Sequence, residues 1–364
     1  MANVEIPDLR ATEWVKNNID ANKNGIAHNV SAPSTGSQLT DLSDTVSGPP
    51  SLWSLTQQQT EHALQCGALQ SIQTNYEFVE QNGVHFLVRI LSNLAKKEKA
   101  NQKQQQLRKK GKDFNPFLPY EPDLFVCNLS PTHLCLLNKF NVVHHHILVV
   151  TREFEEQETW LNLNDFSALW SGLREINGLA FYNGGKTAGA SQRHKHIQLI
   201  PLPLSPEGRA IPMEVLLPLS NAASHQPGSR IAALPFHHAF APLNLNPQDD
   251  PIDAAQTLLN CYQMLLQRFS REQQFGGGQK FGFGQTCSLQ SGRDRNFIPY
   301  NLLITRRWML LIPRIQEKAY SISINALGFA GSLFVKDQAQ LELLKEKGPM
   351  TLLQTVGSGP NSYC

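Results

Sequence analysis

The residues of this 364-residue chain best suited to chemistry are His194, His196 and Gln198, two apart in HKHIQ. They close the stretch AFYNGGKTAGASQRHKHIQLIPL, between an aromatic run and a proline-rich exit. Residues 193–202 read as a strand, with small residues before them and prolines after. Alternation along a strand puts His194, His196 and Gln198 on one face, and Lys195, Ile197 and Leu199 on the other. Spacing of i, i+2 sets neighbouring polar groups roughly 7 Å apart. Buried in a core, that strip would need a partner for every ring nitrogen and amide. Facing a pocket, it can act on a substrate, because neutral imidazole is a competent nucleophile near neutral pH.

The loop before the strand contains Asn183, Gly184, Gly185, Gly189, Ala190, Ser191 and Gln192. Glycine permits positive φ and close backbone approach, and successive N–H groups in such a turn can cradle an anion. Gly185-Lys186-Thr187 suggests a P-loop, but the required glycine five residues earlier is Ala180, and a strand pattern follows instead of a helix.

The segment from Asn183 to Gln198, with its H-x-H-x-Q core, resembles the nucleotidyl-transferase branch of the histidine-triad superfamily. Within that branch it is most similar to ATP adenylyltransferase, also called diadenosine tetraphosphate phosphorylase. The resemblance extends over residues 60–357, and YNLLIT, WMLLIPR and ISINALGFAGSLFV carry it in the C-terminal half. It implies an α+β fold: a histidine-triad-like antiparallel sheet with packed helices, in two related lobes. It implies phosphorolysis of diadenosine tetraphosphate to ATP and ADP, with His196 carrying AMP as a phosphoramidate. His194 would orient the site, and Gln198 would bond a non-bridging phosphate oxygen. Gly189, Ala190, Ser191 and Gln192 would donate to the phosphates, with Asn183 and Asn301 as further substrate contacts. Lys97 would reach the polyphosphate, Asn115 and Pro116 would hold the adenosine end, and His146 would approach the phosphate. The expected partners are dinucleoside polyphosphates, ATP, ADP and phosphate. Mg²⁺ is expected with the nucleotide, and no organic cofactor. Two further readings share the motif: a hexose-1-phosphate uridylyltransferase-like enzyme, and a nucleotide-binding protein without turnover. A triad hydrolase would carry a third histidine where this chain has Gln198.

Formal charge is +2, which does not suggest a nucleic-acid-coating protein. The six cysteines include no C-x-x-C pair. No signal peptide and no run of 18 apolar residues is present, so a cytoplasmic protein that is a monomer or dimer is expected. His144-His145-His146 would point to alternate faces of a strand, so one shared metal is not expected.

The elements around the motif follow in order. Residues 1–54 read as an irregular N-terminal segment, 55–203 as the catalytic lobe and 204–364 as a second lobe completing the pocket. Residues 55–69 read as a helix. Residues 71–80 and 84–91 form strands across Asn82-Gly83, a favoured hairpin turn. Residues 96–112 hold eight Lys or Arg against Glu98 and read as a solvated run or as a polyphosphate contact. Asn115-Pro116-Phe117-Leu118-Pro119 reads as a stiff turn. Strands are expected at 124–129, 134–138 and 146–151, then an amphipathic helix over 157–178. In the second half, residues 233–240 read as a strand-like piece and 253–269 as a helix. Residues 275–284 read as a Gly-rich linker, 300–305 and 308–313 as a hairpin, and 323–334 as a strand region before a closing helix over 337–347.

Overall fold

Alternation of apolar residues along short β-rich segments builds, among the described residues, an eight-stranded antiparallel sheet in which Phe125–Asn128, His133–Leu137, Ile147–Thr151, His196–Pro201, Gly178–Gly184, Tyr300–Ile304, Trp308–Pro313 and Ala239–Pro242 lie side by side in that order. The computed structural model describes residues 50–91, 115–219, 228–274 and 297–357. Helix α1 is Leu52–Gln65, and strands β1 (Thr74–Gln81) and β2 (Val84–Leu91) follow. Next come β3 (Phe125–Asn128), β4 (His133–Leu137), β5 (Ile147–Thr151), α2 (Leu163–Leu173), β6 (Gly178–Gly184) and β7 (His196–Pro201). The second half adds β8 (Ala239–Pro242), α3 (Pro251–Gln274), β9 (Tyr300–Ile304) and β10 (Trp308–Pro313). It closes with β11 (Lys318–Ala319), β12 (Ile322–Ser323), α4 (Ala326–Phe329), β13 (Ser332–Val335), α5 (Gln338–Lys347) and α6 (Pro349–Val356).

The hairpin forms as its turn dipeptide dictates: Gln81 pairs with Val84, and Asn82 and Gly83 both adopt positive φ, 54° and 75°. β2 also pairs in parallel with β13, giving a separate three-stranded sheet. Strands from both sides of residue 203 therefore share each of the two larger sheets, with β6 against β9 in the eight-stranded one.

The two faces of the large sheet meet different partners. On one, Val149, Ile197, Leu199, Leu302 and Leu311 pack with Phe166, Leu169 and Trp170 of α2 and with Leu258 and Leu265 of α3. On the other, two separate apolar clusters form. Leu134, Leu136, Leu148 and Val150 pack under Phe117 at one end. Leu179, Phe181, Leu303 and Leu310 pack with the three-stranded sheet and with Leu352 and Leu353 of α6 at the other. Val150 pairs with His196, and Leu148 and Phe181 both pair with Gln198. His196 and Gln198 thus lie on this second face, where the two clusters adjoin.

Two expected elements are shorter than their apolar patterns. α2 begins at Leu163 rather than 157, because Asn162 and Asp165 form a reciprocal capping box. Asn162 takes the N–H groups of Asn164 and Asp165, while Asp165 Oδ2 takes the N–H of Asn162 at 2.7 Å. The expected strand region 323–334 is broken by α4, which Asn325 caps through the N–H of Leu327. The Gly-rich segment 275–284 lies outside the described residues.

Candidate active site

β7 starts at His196, so His194 stands just outside the ladder, bridged to Glu156. Its ring is almost fully buried and held on both nitrogens. Nε2 lies 2.8 Å from the carbonyl of Thr151, which can only accept, so Nε2 carries the proton. Nδ1 is then the acceptor for the Asn115 amide nitrogen at 2.9 Å. Asn115 in turn accepts the N–H of Phe117 at 3.0 Å, fixing the turn that brings Phe117 edge-on to His194 and His196, 5.5 and 5.4 Å between ring centroids. The expected Asn-Pro turn therefore orients the histidine pair, with Asn115 bonding His194.

His196 donates Nδ1–H to the backbone carbonyl of His194 at 2.8 Å. That bond fixes the tautomer and leaves Nε2 with a bare lone pair. Burial lowers the imidazole pKa to about 4, against the opposing hydrogen bond to the His194 carbonyl. A neutral nitrogen nucleophile at physiological pH is the consequence. Kinetically, the acid limb of kcat/KM governed by this free-enzyme group should lie well below the ordinary histidine value of about 6.5. A pH series from 4 to 8 checks this, and a midpoint near 6.5 would contradict it.

Gln157, placed by its apolar surroundings in a helix, performs a different task. Its Oε1 accepts the N–H of His196 at 2.8 Å, and its Nε2 donates to the carbonyls of His196 and Asn183. It completes the backbone pairing at the start of β7 and ties that strand to β6. Its identity as a positioning residue has no sequence signal, since it depends on a partner 39 residues away.

Lys195 points to the opposite side, as alternation requires, yet it is buried. Its Nζ meets Asp165 at 2.7 Å, Glu155 at 3.1 Å and the carbonyl of Trp160 at 3.2 Å. Asp165 also bonds His133 Nε2 at 3.0 Å. Desolvation pushes the Asp165 carboxyl up, but Lys195 and His133 together outweigh it and hold the group below the usual carboxylate range. The residue between the two histidines is thus anchored by charge to the helix behind the sheet.

The loop geometry revises several sequence expectations. Gly185 and Gly189 sit at φ 88° and 90°, and a Cβ on Gly189 would lie 3.0 Å from Asn325 Cβ. The N–H of Gly189 bonds the Lys186 carbonyl and that of Ala190 bonds the Gly185 carbonyl. Those two expected phosphate donors are committed to the turn itself. Ser191 is exposed and, among the described residues, makes no hydrogen bond. Asn301 is fully buried: its Nδ2 donates to Asn183 Oδ1 and the Ala188 carbonyl at 2.8 Å, and its Oδ1 accepts from Arg314. Its amide supports the loop from below instead of reaching outward as a substrate contact.

Arg314 was not singled out by the sequence. It is buried, makes no salt bridge among the described residues, and bonds Asn301 and the carbonyls of Gln316, Glu317 and Val356. Burial pushes its guanidinium down to about 9, with Glu317 opposing. Among the described residues its direct hydrogen bonds all go to neutral oxygens, with Glu317 as the nearby opposing charge, so it braces the glycine loop from beneath.

The triple histidine does not run as a strand. His145 takes a φ of 54°, stacks on His144 and bonds Thr60, while His146 turns towards Asn138 and lies 5.8 Å from the ring of Phe181. Lys97 lies outside the described residues, as does the whole basic run 96–112. Among the described residues, no helix is long and apolar enough to cross a membrane.

Comparison with known proteins identifies the family of the chain. Residues 43–219 match the Ap4A phosphorylase N-terminal domain, and residues 232–359 match the ATP adenylyltransferase C-terminal domain. The chain is 30% identical over 282 residues to diadenosine 5',5'''-P1,P4-tetraphosphate phosphorylase 2 of Saccharomyces cerevisiae, spanning 68% of this chain and 79% of that one. It is 28% identical over 251 residues to the yeast protein APA1, spanning 63% and 71%. The crystal structure of yeast Ap4A phosphorylase Apa2 superposes with a TM-score of 0.64 at 25% identity, over 85% of this chain and 97% of the other. The chain belongs to the Ap4A phosphorylase family, a family of nucleotidyltransferases.

Proposed function

We propose that this chain catalyses reversible phosphorolysis of diadenosine tetraphosphate, giving ATP and ADP through an adenylyl-His196 intermediate. The observation that carries the reading is the unprotonated Nε2 of a buried, tautomer-locked His196. Its yeast relatives include a structure of Apa2 in complex with Ap4A. In the first step the Nε2 lone pair forms a bond to an α-phosphorus, the bridging P–O bond breaks, and ATP leaves. In the second, an oxygen of inorganic phosphate attacks the same phosphorus, the P–N bond breaks, and ADP leaves. The proton on Nδ1 stays shared with the His194 carbonyl throughout. Two in-line displacements retain configuration at phosphorus. Mg²⁺ would enter as part of the nucleotide substrate.

Gln198 sits two residues along the same strand face, half-buried, with no side-chain hydrogen bond among the described residues. Its amide can donate to a non-bridging oxygen as charge accumulates there. It cannot act as a base for water at neutral pH, whereas phosphate is already anionic. Ser191 and Asn183, whose Nδ2 has no partner among the described residues, would donate to the phosphates.

Product analysis by chromatography, with and without phosphate, tests the reading. The expected outcome is ATP plus ADP with phosphate, and almost no AMP without it. Gln198→His should raise AMP release, because a group able to activate water is restored. Abundant AMP from the unaltered protein in phosphate-free buffer would make the chain a hydrolase. Turnover of UDP-hexose alone would instead favour the uridylyltransferase reading, and no turnover at all a binding protein.

A further inference from the structure

We propose that His62, Cys66 and Asp123 form a binding site for a borderline-soft divalent ion of the zinc class. The site would clamp the segment that lies over the histidine pair. One ligand atom from each residue lies within 4.8 Å of the other two. His62 is in the last turn of α1 and Cys66 is its C-cap, still in right-handed helical geometry, so their i, i+4 spacing stacks them on one face. Asp123 arrives from the 3-10 turn Pro122–Leu124. Its Oδ1 lies 2.9 Å from His62 Nε2, and its carbonyl accepts Gln59 Nε2 at 2.7 Å. The Cys66 thiol is free and exposed, with only a long 3.7 Å contact to the Ala63 carbonyl.

Thiolate, imidazole and carboxylate are a donor set that zinc-class ions accept in tetrahedral geometry, with a water completing the shell. Metal–ligand bonds of about 2.0–2.3 Å place tetrahedral ligands roughly 3.3–3.6 Å apart. The three ligand atoms, within 4.8 Å of one another on exposed side chains, lie close to that spacing. Binding forms one metal–sulfur, one metal–nitrogen and one metal–oxygen bond. The thiol proton leaves to solvent, and the His62 proton moves from Nε2 or is released, so affinity falls as pH falls.

The consequence concerns the catalytic side of the sheet. Asp123 belongs to the segment of residues 115–125, in which Asn115 bonds His194 and Phe117 packs on both histidine rings. Without an ion, that segment meets α1 through two exposed hydrogen bonds and through Leu124, which is buried in one apolar cluster with Leu52 and Ala63. A metal bridge from α1 to Asp123 would add metal–ligand bonds to that packing and slow the opening of the turn.

The experiment uses the full chain, Zn²⁺ and Co²⁺ alone, and a competing chromophoric chelator. The expected result is one ion per chain, with a thiolate-to-cobalt absorption band. Cys66→Ser and His62→Ala should each weaken binding by about tenfold or more, since each removes one of three ligands. Amide exchange at Leu118 and Leu124, whose N–H groups bond the Asn115 and Glu121 carbonyls, should slow when zinc is added. Unchanged affinity in His62→Ala would show that a bare thiol alone takes the ion and would overturn the site. Unchanged exchange at both amides with one ion bound would overturn the clamp.

Discussion

His196→Ala is expected to lower kcat by about four orders of magnitude or more, the scale on which a covalent nucleophile is lost. The strand should survive the change. His196 sits in β7 with its backbone paired to β5 and held by Gln157, and none of those bonds uses the imidazole. The one bond lost is Nδ1–H to the His194 carbonyl, which can be met by water in the space vacated. Stability should therefore fall by only about 1–2 kcal/mol, while nucleotide binding persists. Steady-state assays beside thermal unfolding separate the two effects. A variant retaining a tenth of the original rate would show that another group attacks phosphorus.

The second large effect is on stability and lies behind the sheet. Asp165→Ala strands the Lys195 ammonium, which is 1% exposed, with only the half-exposed Glu155 as counter-charge. It also removes the partner of His133 Nε2 and half of the α2 capping box. Removing one member of a buried pair costs about 3–5 kcal/mol, and the cap adds about 1 kcal/mol. The sign with pH follows from the depressed carboxyl. Its stabilisation is fully present above the unfolded carboxylate value near pH 4 and is lost as pH falls through the lower folded value. Denaturant unfolding from pH 7 to pH 3 should show the native protein losing stability on acidification, while Asp165→Ala loses less over the same range. Parallel curves for the two proteins would show that the pair is not a stability determinant.

Local chemistry made part of this molecule readable from its residues. Asn82-Gly83 specifies its hairpin because both residues accept positive φ. Alternation along HKHIQ separates His196 and Gln198 from Ile197, and the sheet places the two sets in different apolar clusters' surroundings. Long-range pairing was not readable. Alternation sets Lys195 on the face of Ile197 and Leu199, but its partner Asp165, thirty positions earlier, is known only once the fold brings it to 2.7 Å. Gln157 sits in an apolar-patterned stretch that resembles the α2 pattern, and only the Asn162 cap shows that the helix starts after it. The family resemblance implies Asn301 as a substrate contact, but the buried Arg314 and Asn183 take up its amide. The three histidines follow strand alternation only if the backbone is extended, and His145 turns it left-handed.

Intact-mass measurement after brief incubation with diadenosine tetraphosphate and no phosphate tests the central claim most directly. A nucleophilic His196 predicts a population heavier by one adenylyl group. That population should be lost on adding phosphate, as ADP appears, and should be absent in His196→Ala. An unshifted mass in the unaltered protein, with turnover intact once phosphate is supplied, would contradict a covalent intermediate and point to direct attack of phosphate on the bound dinucleotide.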